Sequence, residues 1–398
     1  MLVHFPLLPL VIEFYFNSLI SFSYLERILL ALHHHDRVRS ISFYGWGLGN
    51  VPVTRKMLTA LDKAFPTLEA LSLRSGNNHT TRGLPDRFVA PRLRSLNLRN
   101  IVISAKSLFL TNATNVIILQ IEQFPPFGDL NPRNLVMLFS SLQQLESLSI
   151  TVSFYPTHMA TWEYTQITRI VLPRLWRFKY QGHIGYLENL LALINAPLLQ
   201  YFYIACFWKS TFFSPPISEV IGAIQGLDFQ TADVSINPKG VHIAFHSAQP
   251  SVSLPSFTFT FYTVHNRSDS PLMAQICSAI PALPSVHGLV LKSDQKICDE
   301  HWYSILKLFA GVRTLRTDIY LAADLSDALR HGNGAAMKYL LPMLSELVVV
   351  SEDDLVDGPI VSFVHELCLV GHHVDLRVIK EHPPPNPRLH VLHNFPVF

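Results

Sequence analysis

A chain of 398 residues that is 49% hydrophobic and only 15% charged has too much apolar material and too little charge to stay disordered. Its 31 Lys and Arg stand against 29 Asp and Glu, a formal charge of +2 and far from the basic excess of phosphate-neutralising proteins, so nucleic acid is not an expected partner. Charged or strongly polar residues interrupt every apolar run short of the ~18 residues a membrane helix needs, so a membrane is not an expected partner either.

The opening segment, MLVHFPLLPLVIEFYFNSLISFS, has no Lys or Arg ahead of its apolar run, carries Glu13 and two prolines, and lacks a small-x-small cleavage site. These features argue against a signal peptide. Residues 1–37 read as a remnant of an N-terminal cap. From Val38 onward the chain repeats one frame, apolar-x-x-apolar-x-apolar: Val38-Ile41-Phe43, Leu68-Leu71-Leu73, Leu93-Leu96-Leu98, Val116-Leu119-Ile121, Leu145-Leu148-Ile150, Leu175-Phe178-Tyr180 and Leu199-Phe202-Ile204. Successive starts are 30, 25, 23, 29, 30 and 24 residues apart. That is close to the period of about 20–29 residues of leucine-rich repeats. The alternation within each copy predicts a short strand whose three apolar side chains turn inward.

Between the frames lie stretches of helical period, such as Thr54–Phe65 with Met57, Leu58, Leu61 and Phe65, and Tyr186–Ala196 with Leu187, Leu190, Leu191 and Ile194. These are expected on the outer side. A proline often leads the frame, as in APRLRSLNL and LPRLWRFKY. Lacking an N–H and fixing its φ, it stops the helix-side segment and turns the chain into the strand.

The frame fades over 205–284, which reads as an irregular insertion. Within it GVHIAFHS and SFTFTFYTV alternate strictly and are expected to form a strand pair. Frames resume at Val286, Val312 and Leu344, so 285–398 reads as C-terminal repeats and a proline-rich tail, with 38–204 as the main repeat block. The expected fold is an α/β leucine-rich-repeat solenoid, with a curved parallel sheet on the concave side, helices on the convex side and an inserted strand pair.

Nothing in the sequence spells a catalytic or metal centre. His33-His34-His35-Asp36 places its imidazoles about 100° apart on a helix, so they do not converge on one ion, and His372-His373-x-Asp375 reads the same way. Cys298-x-x-His301 with Cys277 lacks a fourth ligand at regular spacing. Glu352-Asp353-Asp354 reads as a solvated acidic turn. Cys206, Cys277, Cys298 and Cys368 are too widely spaced for a disulfide framework, which favours a reducing compartment, cytoplasmic or nuclear. No cofactor is expected.

The informative positions are those between the apolar ones, which form outward columns along the solenoid. One column runs Ser42, Ser72, Asn97, Gln120, Ser149, Lys179, Tyr203, and the next runs Tyr44, Arg74, Arg99, Glu122, Thr151, Gln181, Ala205. Arg74 and Arg99 fall at equivalent positions in adjacent repeats, with Arg177 and Lys179 further along. The candidate partner-binding residues are therefore Arg74, Asn97, Arg99, Gln120, Glu122, Arg177 and Lys179. The expected partner is a protein or peptide, of acidic character.

Several blocks, among them HHHDRVRSI at 33–41, LPDRFVAPRLRSLNLRNI and above all FKYQGHIGYLENLLALINAPLL at 178–199, resemble the large F-box and leucine-rich-repeat family expanded in mushroom-forming fungi. The resemblance spans nearly the whole chain. It implies a non-enzymatic scaffold that selects substrates for a cullin–RING ubiquitin ligase through an F-box ahead of the repeats. Residues before Val38 are too few for a three-helix F-box, so the ligase adaptor is expected as a partner only where an upstream F-box exists. Two further readings are a secreted or cell-wall repeat protein, for which sequons at Asn78, Asn112 and Asn266 would be occupied, and a hydrolase assembled from distant residues.

Overall fold

In the computed structural model the described residues are 8–16, 22–46, 51–75, 84–85, 87–101, 108–123, 132–152, 169–208, 229–237, 240–247, 257–263, 285–293, 302, 305–322, 324–325, 341–351, 359–369 and 372–380. In chain order they form β1 (Leu10–Tyr15), α1 (Phe22–His33), β2 (Val38–Trp46), α2 (Val51–Leu61), β3 (Ala70–Ser75), β4 (Ser95–Arg99), α3 (Leu108–Asn112), β5 (Ile118–Gln123), α4 (Pro132–Ser140), β6 (Ser147–Val152), β7 (Ile170–Val171), β8 (Arg177–His183) and α5 (Ile184–Leu193). There follow β9 (Ile194–Asn195), β10 (Tyr201–Trp208), β11 (Phe229–Asn237), β12 (Gly240–Ser247), β13 (Phe257–Thr263), β14 (Gly288–Ser293), β15 (Thr314–Asp318), β16 (Glu346–Ser351), α6 (Pro359–Leu369) and β17 (Asp375–Lys380).

The chain divides into two compact units, one of Met1–Leu227 with Pro255–Val264, the other of Asp228–Leu254 with His265–Phe398. In the first, the strands lie in the order β1-β2-β3-β4-β5-β6-β8-β10-β13, every neighbouring pair parallel. In the second, β12 and β11 form an antiparallel hairpin, and β11-β14-β15-β16-β17 continue as parallel neighbours. Long, mostly parallel sheets joined by helical crossovers are the leucine-rich-repeat architecture that the spacing predicts.

Eight of the frames begin with a turn of the same closure. The N–H of Leu68 donates to the carbonyl of Phe65, and the same three-residue step links Leu93 to Ala90, Val116 to Ala113, Leu145 to Leu142, Leu175 to Leu172 and Leu199 to Ala196. In the second unit it links Val312 to Phe309 and Leu344 to Leu341. Pro66, Pro91, Pro173, Pro197 and Pro342 occupy the second position of such turns, where a preset φ of about −65° suits the geometry. The first and fourth residues of all these turns, apart from the half-buried Ala196, are buried.

Past the turn, one carbonyl serves two donors of the next repeat. Glu69 O accepts from the N–H groups of Arg94 and Ser95, Arg94 O from Ile117 and Ile118, Ile117 O from Glu146 and Ser147, and Trp176 O from Gln200 and Tyr201. Apart from register shifts at Leu10/Val11 and at Tyr44/Trp46, the ladder of the first unit stays in register, so equivalent residues stand side by side. One inward row is Ile12, Ile41, Leu71, Leu96, Leu119, Leu148, Phe178, Phe202 and Phe257, none more than 3% exposed. A row of this kind contributes roughly 1.5–3 kcal/mol per side chain, which the ordering entropy of the chain largely offsets.

Apart from the two-residue β7 and β9, which pair with each other, the sequence reading misses three strands. β1 lies ahead of Val38 and pairs with β2, but it has one residue fewer between Leu10 and Ile12 than β2 has between Val38 and Ile41, so the frame does not register it. β17 is preceded by His372, whose Nε2–H donates to the Leu344 carbonyl at 2.7 Å, and not by the apolar turn of the other repeats. His372 thus has a structural task at the entry to a strand, and not on a helix as its reading alongside His33–His35 implied. β11 lies inside 205–284, where no frame marks it. Of the two strands foreseen there, β12 is antiparallel to β11, and β13 is parallel to β10.

At the junction of β8 and α5 the chain passes from strand to helix without a loop. His183 caps the helix, its Nδ1 accepting from the Gly185 N–H at 3.2 Å, while the buried Tyr180 hydroxyl donates to the His183 carbonyl at 2.8 Å. Burial holds the Tyr180 phenol well above the usual tyrosine range. Gly182 sits at φ 156°, and a Cβ there would lie 2.7 Å from the Tyr180 hydroxyl and 2.8 Å from the Val152 carbonyl oxygen. Neither neighbour is free to move, since one is bonded and the other is backbone. Gly182→Ala should therefore cost on the order of 1–3 kcal/mol in denaturant unfolding, as overpacked interiors do. The neighbouring Gln181→Ala, at a half-buried outward position, should change stability by no more than about 0.5 kcal/mol.

Candidate functional site

The in-register ladder that builds the core also builds the opposite face, because odd and even residues of a strand point to opposite sides. In the first unit one outward row reads Ser42, Ser72, Asn97, Gln120, Ser149, Lys179, Tyr203, and the next reads Tyr15, Tyr44, Arg74, Arg99, Glu122, Thr151, Gln181, Ala205. The columns obtained from the sequence are these rows. Ala205 is the exception in character: although outward by parity it is only 1% exposed and offers no surface.

Neighbours across the strands satisfy one another in a definite order. Tyr15 and Tyr44 stack with ring centroids 4.5 Å apart, and the Arg74 guanidinium lies 5.3 Å from the Tyr44 ring centroid. Arg99 turns the other way and pairs with Glu122 at 3.2 Å. Asn97 donates through Nδ2 to Gln120 Oε1 at 2.8 Å. On β8, Arg177 lies 4.8 Å from the Tyr201 ring centroid and Lys179 lies 5.1 Å from that of Tyr203. Arg74 and Arg99, adjacent in the register, are thus held by an aromatic ring and a carboxylate respectively.

A groove of about 440 Å³ runs over these rows and touches six of the seven predicted residues, Arg74, Asn97, Gln120, Glu122, Arg177 and Lys179. Arg99 stands beside it through Glu122. Among the described residues, Arg74, Arg177 and Lys179 have no carboxylate partner within ion-pair distance. Desolvation, and secondarily the charge of Arg177, lowers the Lys179 ammonium below the usual lysine value, with Glu122 opposing. The Nε of Arg74 and the hydroxyl of Ser72 are buried with no hydrogen-bond partner. In the second unit the outward Glu346 is already engaged, by Arg377 at 2.9 Å and by the Thr314 hydroxyl at 3.1 Å. The first unit's face therefore keeps unneutralised cations.

Sequence reasoning left five contributors out of the candidate set, although Tyr44 and Tyr203 stand in its columns. Tyr44, Tyr201 and Tyr203 seat the cations, and only the register shows each to be the direct neighbour of one. Trp176 and Glu146 line the groove from the residues just before the strands, a place the columns do not sample. Trp176 is 40% exposed, and it also borders a second depression of about 610 Å³ with Arg174, Leu198 and Gln200.

The other sequence candidates fare differently. His33 ends α1, and His34 and Asp36 occupy the turn that follows, where the Arg37 N–H bonds the His34 carbonyl. Among the described residues no group of three or more His, Cys, Asp or Glu is placed to hold a metal. Cys277, Cys298, His301 and Glu352-Asp353-Asp354 lie outside the described residues, while Trp302 is 1% exposed. No described helix is long and apolar enough to cross a membrane.

No family model matches the sequence, and no curated protein does. Among solved structures the chain is similar to the leucine-rich-repeat-containing protein LegL7 of Legionella pneumophila, at 13% identity over 92% of this chain and 93% of that one, with a TM-score of 0.31.

The Lys179 shift carries a pH signature. A lysine whose folded pKa lies below its unfolded value penalises the folded state while protonated, and the penalty is relieved as pH rises from the folded value toward 10.5. Lys179→Met removes the charge and keeps the stem. The stability of the wild type minus that of Lys179→Met should therefore rise with pH on approaching 10.5, and the variant should melt no lower than the wild type at pH 7. Subtracting the two curves cancels the titration of the buried tyrosines.

Proposed function

We propose that this leucine-rich-repeat protein is a non-enzymatic interaction scaffold whose first unit takes a protein or peptide partner on the outward face of its sheet. The observation that carries the reading is the groove over β3 to β8, lined by three cations that have no carboxylate within ion-pair distance among the described residues. A solvated sheet face needs only polar residues. Cations held in place over aromatic rings and left without counter-charge favour an acidic partner.

The finer reading follows the resemblance of the blocks at 33–41 and 178–199. In a receptor of that kind the repeats hold the substrate, and an F-box ahead of them docks the ligase adaptor. This chain would then be the substrate-recognition part of a cullin–RING ligase receptor, acting in cytoplasm or nucleus. No adaptor-docking role is assigned to the repeats themselves.

The site is tested by filling it without altering its charge. Ser149 lines the middle of the groove on β6 and is half-buried. Ser149→Trp should leave the melting temperature within a few degrees of wild type and reduce partner recovery in proximity labelling by at least about tenfold. Met137→Trp, on the exposed side of α4, should leave recovery unchanged. If Ser149→Trp retains the same partners at the same level, the sheet face is not the binding site.

A further inference from the structure

Resting on that reading, we infer that the face recognises an extended acidic segment at two separated points, with negative groups about six residues apart and an uncharged stretch between them. The argument begins with where charge is and is not cancelled. Moving across the strands from β3, Arg74 is unpaired by any carboxylate, with its Nε buried and lacking a hydrogen-bond partner. On β4 and β5, Arg99 and Glu122 neutralise each other, and Asn97 and Gln120 bond to each other. β6 offers Ser149 and Thr151. On β8, Arg177 and Lys179, both half-buried on the outward face, again have no carboxylate within ion-pair distance among the described residues, although Glu122 acts on Lys179 from β5. Along the strand rows the floor of the groove therefore reads positive, neutral, positive, with Glu146 lining it from the residue before β6.

The two positive ends are joined by one groove, since both Arg74 and Lys179 line it. Their separation follows from the sheet. β3, β4, β5, β6 and β8 are consecutive neighbours, and four steps of about 4.8 Å place the ends about 19 Å apart. An extended chain advances about 3.3 Å per residue, so about six residue steps cover that distance. A segment lying across the strands would set one acidic cluster against Arg74 and another against Arg177 and Lys179. Its middle residues would meet the paired Arg99 and Glu122, the neutral groups of β4 to β6, and Glu146 ahead of β6, none of which welcomes a further negative charge. A uniformly charged polyanion fits this floor less well than a peptide with a neutral centre.

The cations are pre-positioned. Each lies over the ring of its register neighbour, Tyr44, Tyr201 or Tyr203, so less rotamer freedom is lost on binding. Desolvation of the Lys179 ammonium makes an incoming carboxylate more favourable there than at a solvated lysine.

Fluorescence anisotropy on the full chain tests the spacing. The probes are labelled peptides with an Asp-Asp pair at each end and a Ser/Gly spacer of one, about five or about nine residues between the pairs. The middle spacer should bind at least about tenfold more tightly than the other two, with the preference weakening in ~0.5 M salt. Arg74→Gln and Lys179→Gln should each remove the preference, and Arg74→Lys should retain most of it. Affinity that is indifferent to spacer length, or equal affinity for a single-stranded oligonucleotide of the same charge, overturns the two-point reading. Should no peptide bind while Ser149→Trp still abolishes partner recovery, the acidic two-point proposal falls and the sheet-face reading stands. Should Ser149→Trp leave partners intact as well, both fall.

Discussion

At the head of eight repeats a carbonyl, in all but one from a buried residue, accepts the N–H three residues further on, and everything downstream in those repeats is placed by this closure. It ends the helix-side segment, fixes which residue is the first to turn inward, and brings the following carbonyl to where two N–H groups of the next repeat meet it. A slip of one residue would send every apolar side chain of the strand to the wrong face. The turn is therefore worth more than its own hydrogen bond, whose net contribution is only about 1 kcal/mol. Proline is the common but not the required means of making it. Ala113-Thr114-Asn115-Val116 and Phe309-Ala310-Gly311-Val312 close the same way without one.

Parallel, in-register pairing has a consequence for the outward face. It puts equivalent positions of successive repeats at neighbouring distance, which suits leucines in the core and disfavours like charges outside it. Arg74 beside Arg99, and Arg177 two residues from Lys179, are the places where that difficulty arises. The chain resolves the first by giving one arginine to Glu122 and the other to Tyr44, and the second by setting Tyr201 and Tyr203 on the adjoining strand. A cation over a ring is worth about 0.5–2 kcal/mol, more as the site is desolvated, and leaves the positive charge outwardly effective. Holding charge without cancelling it is what the proposed recognition role of this face rests on, whereas in the second unit Glu346 pairs with Arg377.

The fold was legible to the extent that each strand carried the frame. Leu71, Leu96, Leu119 and Leu148 are register neighbours as their spacing indicates. β1 escaped because one residue is absent from its lead, and β17 because histidine stands where the others have an apolar turn. β11 alternates Ala232, Val234 and Ile236 inward, yet no turn of the repeat type precedes it to mark it as part of the sheet. Of the candidate site, the columns were readable from parity alone. Trp176 and Glu146 were not, because they precede the strands and join the groove only through the path of the chain. The capping role of His183 and the confinement of Gly182 were also hidden, since both depend on Tyr180 and Val152 arriving from elsewhere.

The sequence by itself determined the repeat, its period, the inward and outward residues of most strands, and hence the identity of the groups on the outward face. Those are matters of local periodicity, which a strand expresses wherever it lies. Only the tertiary structure decided which outward groups are spent on one another and which remain. Whether Arg99 meets Glu122, Arg74 meets Tyr44 and Lys179 meets Tyr203 is settled by strand order and register, over separations of about 23 to 30 residues in the chain. The charge pattern of the face is a property of neighbours across the sheet, and neighbours across the sheet are made by the ladder.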